Sequence, residues 1–544
     1  MTGWLKENCK DLSSKRRKVV MSKLTKLIPT HEINRPRSFL CLGALTVFIY
    51  FVFNNFTPLA NVFAEPVLII HTNDLHSHLD HADTPEIGGY AAVKTKIDEL
   101  KLEAESQGIP VLVLDAGDFT EGSEFNYADK GLWGWQAMSQ MGYDAVTLGN
   151  HDWLQGLTDL SRVIDATQPG FSVLAANFDF DKAKFPVLGK FIKPSIELSV
   201  GQQKIAILGL TTSDLTYSWR ARDGAIGPAI PAAWDQVPKL RSRNDFLIAL
   251  THIGYQSDIA LAKKVEGIDL IVGGHSHTRL DQVDLTKNEK THRPIPIVQT
   301  GSAGRYVGRL LVDLTKGEPV QVLSYQLVPI YSAEAKISQL TDTVEKAKAA
   351  YRDHFGPSWL SEIIGYSEVN LDTQGGSGPT TFSNLVADGM RESSKADVAF
   401  DMGVFEGFSQ PAGPITRESL IKLYPRSFDF NQKYGWNIWT VKIRGWVLKS
   451  AIKLLAKIDG GFTFSGITYT TSSKGKLSNF KINGSKLKLL HNYTLAVPEG
   501  VGRGAHDIAQ ILKTILKNPT NTGIPVWTAL EDQFRKHSPI KAIP

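Results

Sequence analysis

The sequence predicts an α/β protein, and three features carry that prediction. Between residue 66 and about residue 330, short β-branched apolar runs recur without polar alternation, amphipathic stretches of helical length separate them, and most of the runs end in a cluster of Asp, Asn, His and Gly. Unalternating runs of strand length mark strands buried on both faces, as happens when helices cover a largely parallel sheet.

The runs are PVLII (66–70), PVLVL (110–114), DAVTL (144–148), KIAIL (204–208), DFLIAL (245–250), DLIVG (269–273) and IPIVQT (295–300). GGYAAVKTKIDELKLEAES (88–106) supplies a helix after the first of them. Residues 333–354 set Ile337, Leu340, Val344, Ala347 and Tyr351 at helical spacing with charges opposite, and FGP stops the pattern. That stretch reads as a linker helix between two domains, 66–330 and 360–544. In the second domain, GGFTFSGITYTTSSKGKLSNFKINGSKL is broken by Gly and Asn turns and predicts a β-meander.

A chain of 544 residues is too long for one ordinary core, so two domains agree with its size. Its total charge of +5 is misleading as a guide to partners. Residues 1–37 alone carry +7, which leaves −2 for the rest, so there is no electrostatic reason to expect nucleic acid as a partner. After that basic stretch comes FLCLGALTVFIYFVF (39–53), followed by Val62 and Ala64 at cleavage-type spacing. Residues 1–64 read as a leader, either a secretory signal peptide or an uncleaved anchor, with Met21 an alternative start. Either way the body is expected to be extracytoplasmic (periplasmic, secreted or held at the outer face of a membrane), with membrane contact only through this segment. Both cysteines, Cys9 and Cys41, lie in the leader, so the body has neither disulfides nor thiolate ligands.

The polar clusters are the informative part. VLIIHTNDLH ends in Asp74 and His76, VLVLDAGD in Asp118, DAVTLGNHD in Asn150, His151 and Asp152, FLIALTHIG in His252, and DLIVGGHSH in His275 and His277. Ligand sites in α/β sheets lie outside the carboxyl ends of strands, so these five clusters can meet in one crevice. Eight of the fourteen histidines fall at or near strand ends, too many for accident. Hard and borderline N and O donors without cysteine suit Zn, Mn, Co, Fe or Mg, and their number exceeds the needs of one ion. Two divalent ions sharing a carboxylate would use them all. His71 reads as a packed core residue, and His78 and His81 as rim or solvent residues.

The series D-x-H, G-D, G-N-H-D, H and G-H-x-H resembles the calcineurin-like metallophosphoesterase signature. The fuller forms HTNDLHSH, LDAGD, LGNHDW, LTHIG and GGHSHT resemble its secreted 5′-nucleotidase/UDP-sugar hydrolase branch, as do FSNLVADGMRESSKADVAF, QPAGPITRESLIKLYP and WTVKIRGWVLKSAI later on. The resemblance implies a layered α/β/β/α sandwich followed by an α+β substrate domain of the 5′-nucleotidase C-terminal type. It implies one cation on Asp74, His76, Asp118 and His277 and another on Asp118, Asn150, His252 and His275, with Asp118 bridging. A water activated by these cations attacks phosphorus, and His151 stabilises the transition state or protonates the leaving alcohol. The implied substrate is a small phosphate ester, first of all a nucleotide; a cyclic nucleotide, a sugar nucleotide or another phosphate ester is the alternative. A metal-retaining binding protein without turnover is the reading of another class.

This chain departs from that branch in three places. Leu154 stands where an acid usually pairs with the catalytic histidine, and Asp152 is next to His151 and poorly placed to substitute. Met402 and Glu406 fall in the loop that normally carries a phosphate-gripping Arg; Arg417, Arg426 and Arg503 are the substitutes, each reading more simply as a surface charge. Gly500 lies near the base-stacking position, leaving Phe405, Phe408, Phe428 or Trp436 as candidate clamps that read more simply as packing residues.

Overall fold

A computed structural model describes residues 66–82, 84–213, 221, 223–373, 379–427, 434–456, 461–504 and 518–542. The leader, its two cysteines and Phe428 lie outside the described residues. The seven apolar runs all form strands, but they divide between two sheets. In the first, Pro66–Thr72, Val111–Asp115, Ala145–Thr147 and Ser172–Leu174 run parallel in that order. In the second, Gln203–Thr211, Phe246–His252, Leu270–Gly273 and Pro294–Val298 do the same. Antiparallel strands extend the outer edges, Tyr306–Asp313 beside Pro66–Thr72 and Ser195–Val200 beside Gln203–Thr211.

Four layers explain why the runs do not alternate. Val67, Ile69, Leu112 and Leu114 point into the space between the sheets, where they meet Ile205, Ile207, Ile248 and Leu250. Leu68, Ile70 and Val113 face the other way, toward Val93 and Ile97 on the helix Tyr90–Ser106 and Trp135 and Met138 on the helix Leu132–Met141. Across the second sheet, Leu247, Ala249 and Ile271 pack on Val237, Leu240 and Leu261 from the helices Ala229–Arg241 and Tyr255–Lys264. A strand apolar on both faces needs a cover on each side, which the α/β/β/α stack supplies here, and each buried Ile or Leu contributes about 1.5–3 kcal/mol.

The linker helix runs Gln339–Phe355 rather than beginning near 333. Ser338 is its N-cap and forms a capping box with Thr341, and before it lies only a short 3-10 turn, Ser332–Glu334, separate from this helix. Leu340, Val344, Ala347 and Tyr351 are buried as their spacing predicts, whereas Ile337 precedes the cap and is 95% exposed. Beyond it, a five-stranded sheet has the order Phe462–Ser465, Val398–Met402, Asn492–Pro498, Asn437–Arg444, Thr520–Pro525. The helices Thr381–Ser394 and Val526–Lys536 bury Phe382, Val386, Leu530 and Phe534 in its core. The expected meander is shorter than its sequence suggests. Phe462–Ser465 joins the main sheet, and only Ile467–Thr471, Leu477–Ile482 and Ser485–Lys486 form a separate antiparallel meander on the helix Gly445–Leu455. The described residues belong to one compact unit. Among the described residues no helix is long and apolar enough to cross a membrane.

Candidate metal centre

The polar clusters leave the strands in left-handed backbone. Asp74, His76, Asp118, His275 and His277 have φ of 52°, 49°, 57°, 78° and 52°. Non-glycine residues held there cost about 1–3 kcal/mol each and persist only where their surroundings fix them. The fixing is visible: Asp74 N donates to Gly117 O, His76 N to Asp118 O, and His275 N to the Asp74 carboxylate at 3.0 Å. Gly149 is required by contact, since a Cβ there would lie 2.0 Å from Asp118 Oδ1.

These turns bring the side chains together from both sheets. Ligand atoms of Asp74, His76 and His277 lie within 4.8 Å of one another, as do those of His76, Asp118 and His151, and of Asp118, His252 and His275. Asn150 stands between Gly149, whose α-carbon abuts Asp118, and His151, whose N–H donates to Asp118 Oδ1 at 2.8 Å. Its own Oδ1 is buried and has no hydrogen-bond partner. An amide oxygen left so in a packed interior fits a metal ligand.

The imidazoles are oriented to offer lone pairs inward. His76 Nδ1 lies 2.7 Å from Glu121 O and His252 Nδ1 2.7 Å from Ala116 O, so the N–H of each ring is taken by a carbonyl and Nε2 is free to ligate. His76 Nε2 then lies 2.9 Å from His277 Nε2, and His252 Nε2 3.0 Å from Asp118 Oδ2. Burial, followed by the nearby His151, holds His76 well below the usual imidazole range, in the neutral form a ligand needs. Burial raises the Asp118 carboxyl, but His252, His151 and His76 outweigh it and hold Asp118 well below the usual range. Two buried carboxylates, an amide oxygen and inward-facing imidazoles fit divalent cations with N and O preference.

His151 sits against this cluster, its Nε2 3.9 Å from Asp118 Oδ2. Its partner is not the one sequence reasoning looked for. Leu154 is buried among apolar neighbours, and Asp152 accepts from the N–H groups of Asp118, Thr120 and Gly149, so it pins the Asp118 loop instead. The carboxylate on His151 Nδ1 belongs to Glu121. Burial lowers the His151 imidazole, but Asp118 and Glu121 outweigh it and raise it above its ordinary value. The only signal for Glu121 in the sequence is a further acid three residues after Asp118.

Arg426 is likewise not a surface charge. It is 7% exposed and donates to Glu121 Oε2 at 3.1 Å, Phe405 O at 3.0 Å and Val404 O at 2.8 Å. The other two arginines lie elsewhere, Arg417 bonded to Glu531 and Glu362 and Arg503 to Glu499. Phe405 and Trp436 pack on each other in the core, and a Cβ on Gly500 would lie 2.6 Å from the Trp436 ring. Phe408 lies against His78, 4.6 Å between ring centroids, and His81, so these two histidines meet the second domain rather than solvent alone. His71 is fully buried, stacks on Tyr325 and is pushed down to about 3 by desolvation.

Comparison with known proteins agrees with this geometry. Residues 67–279 match the family of calcineurin-like phosphoesterases, and residues 363–514 match the 5′-nucleotidase C-terminal domain. The chain is 29% identical to the trifunctional nucleotide phosphoesterase protein YfkN of Bacillus subtilis over 80% of its own length, although it spans only 32% of that protein. It is 28% identical to a 5′-nucleotidase of Vibrio cholerae, covering 87% of this chain and 90% of the relative. In fold it is similar to a 5′-nucleotidase precursor from Thermus thermophilus, with a TM-score of 0.71 at 23% identity over 88% of this chain and 98% of the other. Sandwich and site together define a metal-dependent phosphoester hydrolase. The chain belongs to the calcineurin-like phosphoesterases that carry a 5′-nucleotidase C-terminal domain.

Proposed function

We propose that this enzyme removes phosphate from extracytoplasmic nucleotides, in the manner of a 5′-nucleotidase. The observation that carries the reading is that three ligand groups interlock, the first two sharing His76 and the last two sharing Asp118, with His151 against Asp118. Asp74, His76, Asp118 and His277 would hold one divalent cation, and Asp118, Asn150, His252 and His275 the other. When bound, such a pair supplies Lewis acidity at the phosphoryl oxygens and brings the pKa of a bound water toward about 7. Asp118 would offer one carboxylate to both positions and offset part of their charge, and Asn150 would complete a shell without adding charge. His151 gives its Nδ1–H to Glu121, which turns Nε2 toward the reacting phosphate. A proton on Nε2 would stabilise charge there or pass to the departing oxygen. The nucleotide names of the relatives and the leader sequence support substrate and location.

A second reading is favoured by Arg426. Its guanidinium is engaged by Glu121 and two carbonyls, and Arg417 and Arg503 are bonded to Glu531, Glu362 and Glu499, which supports a mode of phosphate and base recognition unlike the usual pattern of the branch. Cyclic nucleotides, sugar nucleotides or another phosphate ester are the alternative substrates. Phosphate release from nucleoside monophosphates, cyclic nucleotides and sugar nucleotides, with Mn, Co or Zn added, decides between them. Preference for 5′-monophosphates supports the first reading, preference for a diester the second. No hydrolysis of any ester with any metal would leave a binding protein.

A further inference from the structure

One segment of the second domain is strongly basic and almost free of acids. Between Thr440 and Asn492 the sequence holds ten Lys and Arg against one acid, Asp459, within a body whose total is −2, and nine of the ten are among the described residues. None of the nine forms an ion pair with a described residue; Lys442 and Arg444 lie on the strand Asn437–Arg444, Lys449 and Lys453 on the helix Gly445–Leu455, and the other five on the meander and its loops. The same segment exposes large apolar side chains. Trp446 and Leu454, 42% and 61% exposed, lie eight residues apart on that helix with Ser450 between them, so all three share a stripe that Lys449 and Lys453 flank. Trp446 N donates to Leu489 O at 2.9 Å, which brings the loop carrying Leu489 and Leu490 alongside. Leu490 is 78% exposed. An open cavity of about 670 Å³ adjoins them, lined by Lys449, Lys481, Lys486, Tyr469, Phe480 and Leu489. The Lys449 ammonium lies 5.6 Å over the Phe480 ring.

Scattered exposed apolar residues need no explanation, but Trp446, Leu454, Leu489 and Leu490 set among unpaired cations do. A soluble polyanion would reward the lysines and leave those four side chains in water. An anionic bilayer rewards both: the ammonium groups meet lipid phosphates while Trp and Leu enter the boundary between headgroups and acyl chains. We propose that this face seats the enzyme reversibly on an anionic phospholipid surface, independently of the leader. The inference rests on the second domain alone and stands apart from the substrate reading.

A reporter at position 490 tests it, because it senses insertion at this face however the rest of the chain is held. The full chain carries Leu490→Cys with Cys9→Ser and Cys41→Ser, and the thiol bears an environment-sensitive fluorophore. With vesicles of phosphatidylcholine and 30% phosphatidylglycerol we expect a blue shift and a several-fold rise in emission. Pure phosphatidylcholine should give neither, and 0.5 M NaCl should remove most of the response. Lys486→Glu with Lys488→Glu should weaken the response at least tenfold while ester hydrolysis is unchanged, which shows the fold intact. No response to the anionic vesicles overturns the proposal. So does an equal blue shift with heparin or duplex DNA, which would make the face a polyanion site.

Discussion

One carboxylate oxygen joins the two domains at the reacting centre: Glu121 Oε2 meets Nδ1 of His151 and, at 3.1 Å, the guanidinium of Arg426. His151 lies at the end of a strand of the first sheet and Arg426 in the second domain. Orientation of the imidazole is thereby tied to the docking of that domain.

Replacing Glu121 should therefore impair the imidazole without emptying the metal site. For Glu121→Gln, kcat should fall about 10²-fold, within the range of general acid–base contributions, with KM nearly unchanged. Metal content, read by elemental analysis, should match that of the parent. Loss of metal instead would make Glu121 a support for His76, whose Nδ1 lies against the Glu121 carbonyl.

Arg426→Met should destabilise more than its size suggests, because it leaves the buried Glu121 charge without its cation. Breaking such a pair from one side costs about 3–5 kcal/mol. Combining it with Glu121→Gln should recover part of that loss, which a denaturation cycle of the four proteins would show. Arg426→Lys should rescue poorly, since a point charge cannot serve a carboxylate and two carbonyls together. Additive losses would mean the two residues act separately.

Adjacent residues should separate chelation from chemistry. Asn150→Ala should weaken metal binding, seen as a higher metal concentration for half activity. His151→Ala should keep its metals and lose about 10²–10⁴ in kcat. If His151→Ala loses metal, that division of roles is wrong.

Local information made much of this legible. Asp74, Asp118, Asn150, His252, His275 and His277 each follow an apolar run directly, so reading the strands places them at a common edge. The layering was legible too, because Val67 and Leu68 can both be buried only between two covers. Glu121 and Arg426 were not, since each has meaning only through a partner: Glu121 is 30 residues from His151, and Arg426 is 305 from Glu121. The resemblance to the family pointed to position 154, where a leucine fills the core, and a lone Arg reads by default as a surface charge. The helix start was missed for a smaller reason. Ile337 continues the apolar spacing, but the Ser338 cap comes after it.

Buried Asp401 gives a pH dependence of stability. Burial pushes its carboxyl up to about 7, and although Oδ1 accepts from Tyr424 at 3.2 Å, Oδ2 has no partner. The folded value lies above the unfolded one, so the native state keeps a proton that the unfolded chain releases above about pH 4. This contribution therefore falls as pH rises from about 4 to about 7 and is level beyond, a loss on the order of 4 kcal/mol. Asp401→Asn should flatten that part of the pH profile in urea denaturation. An unchanged slope would show that Asp401 ionises normally.

The central claim is that Asp118 serves two cations at once, and anomalous diffraction from crystals of the manganese-loaded chain tests it most directly. The account predicts two peaks about 3.5–4 Å apart, with Asp118 between them, Asp74 and His277 on one side and Asn150 and His252 on the other. A single peak away from Asp118, or none among these side chains, would contradict it.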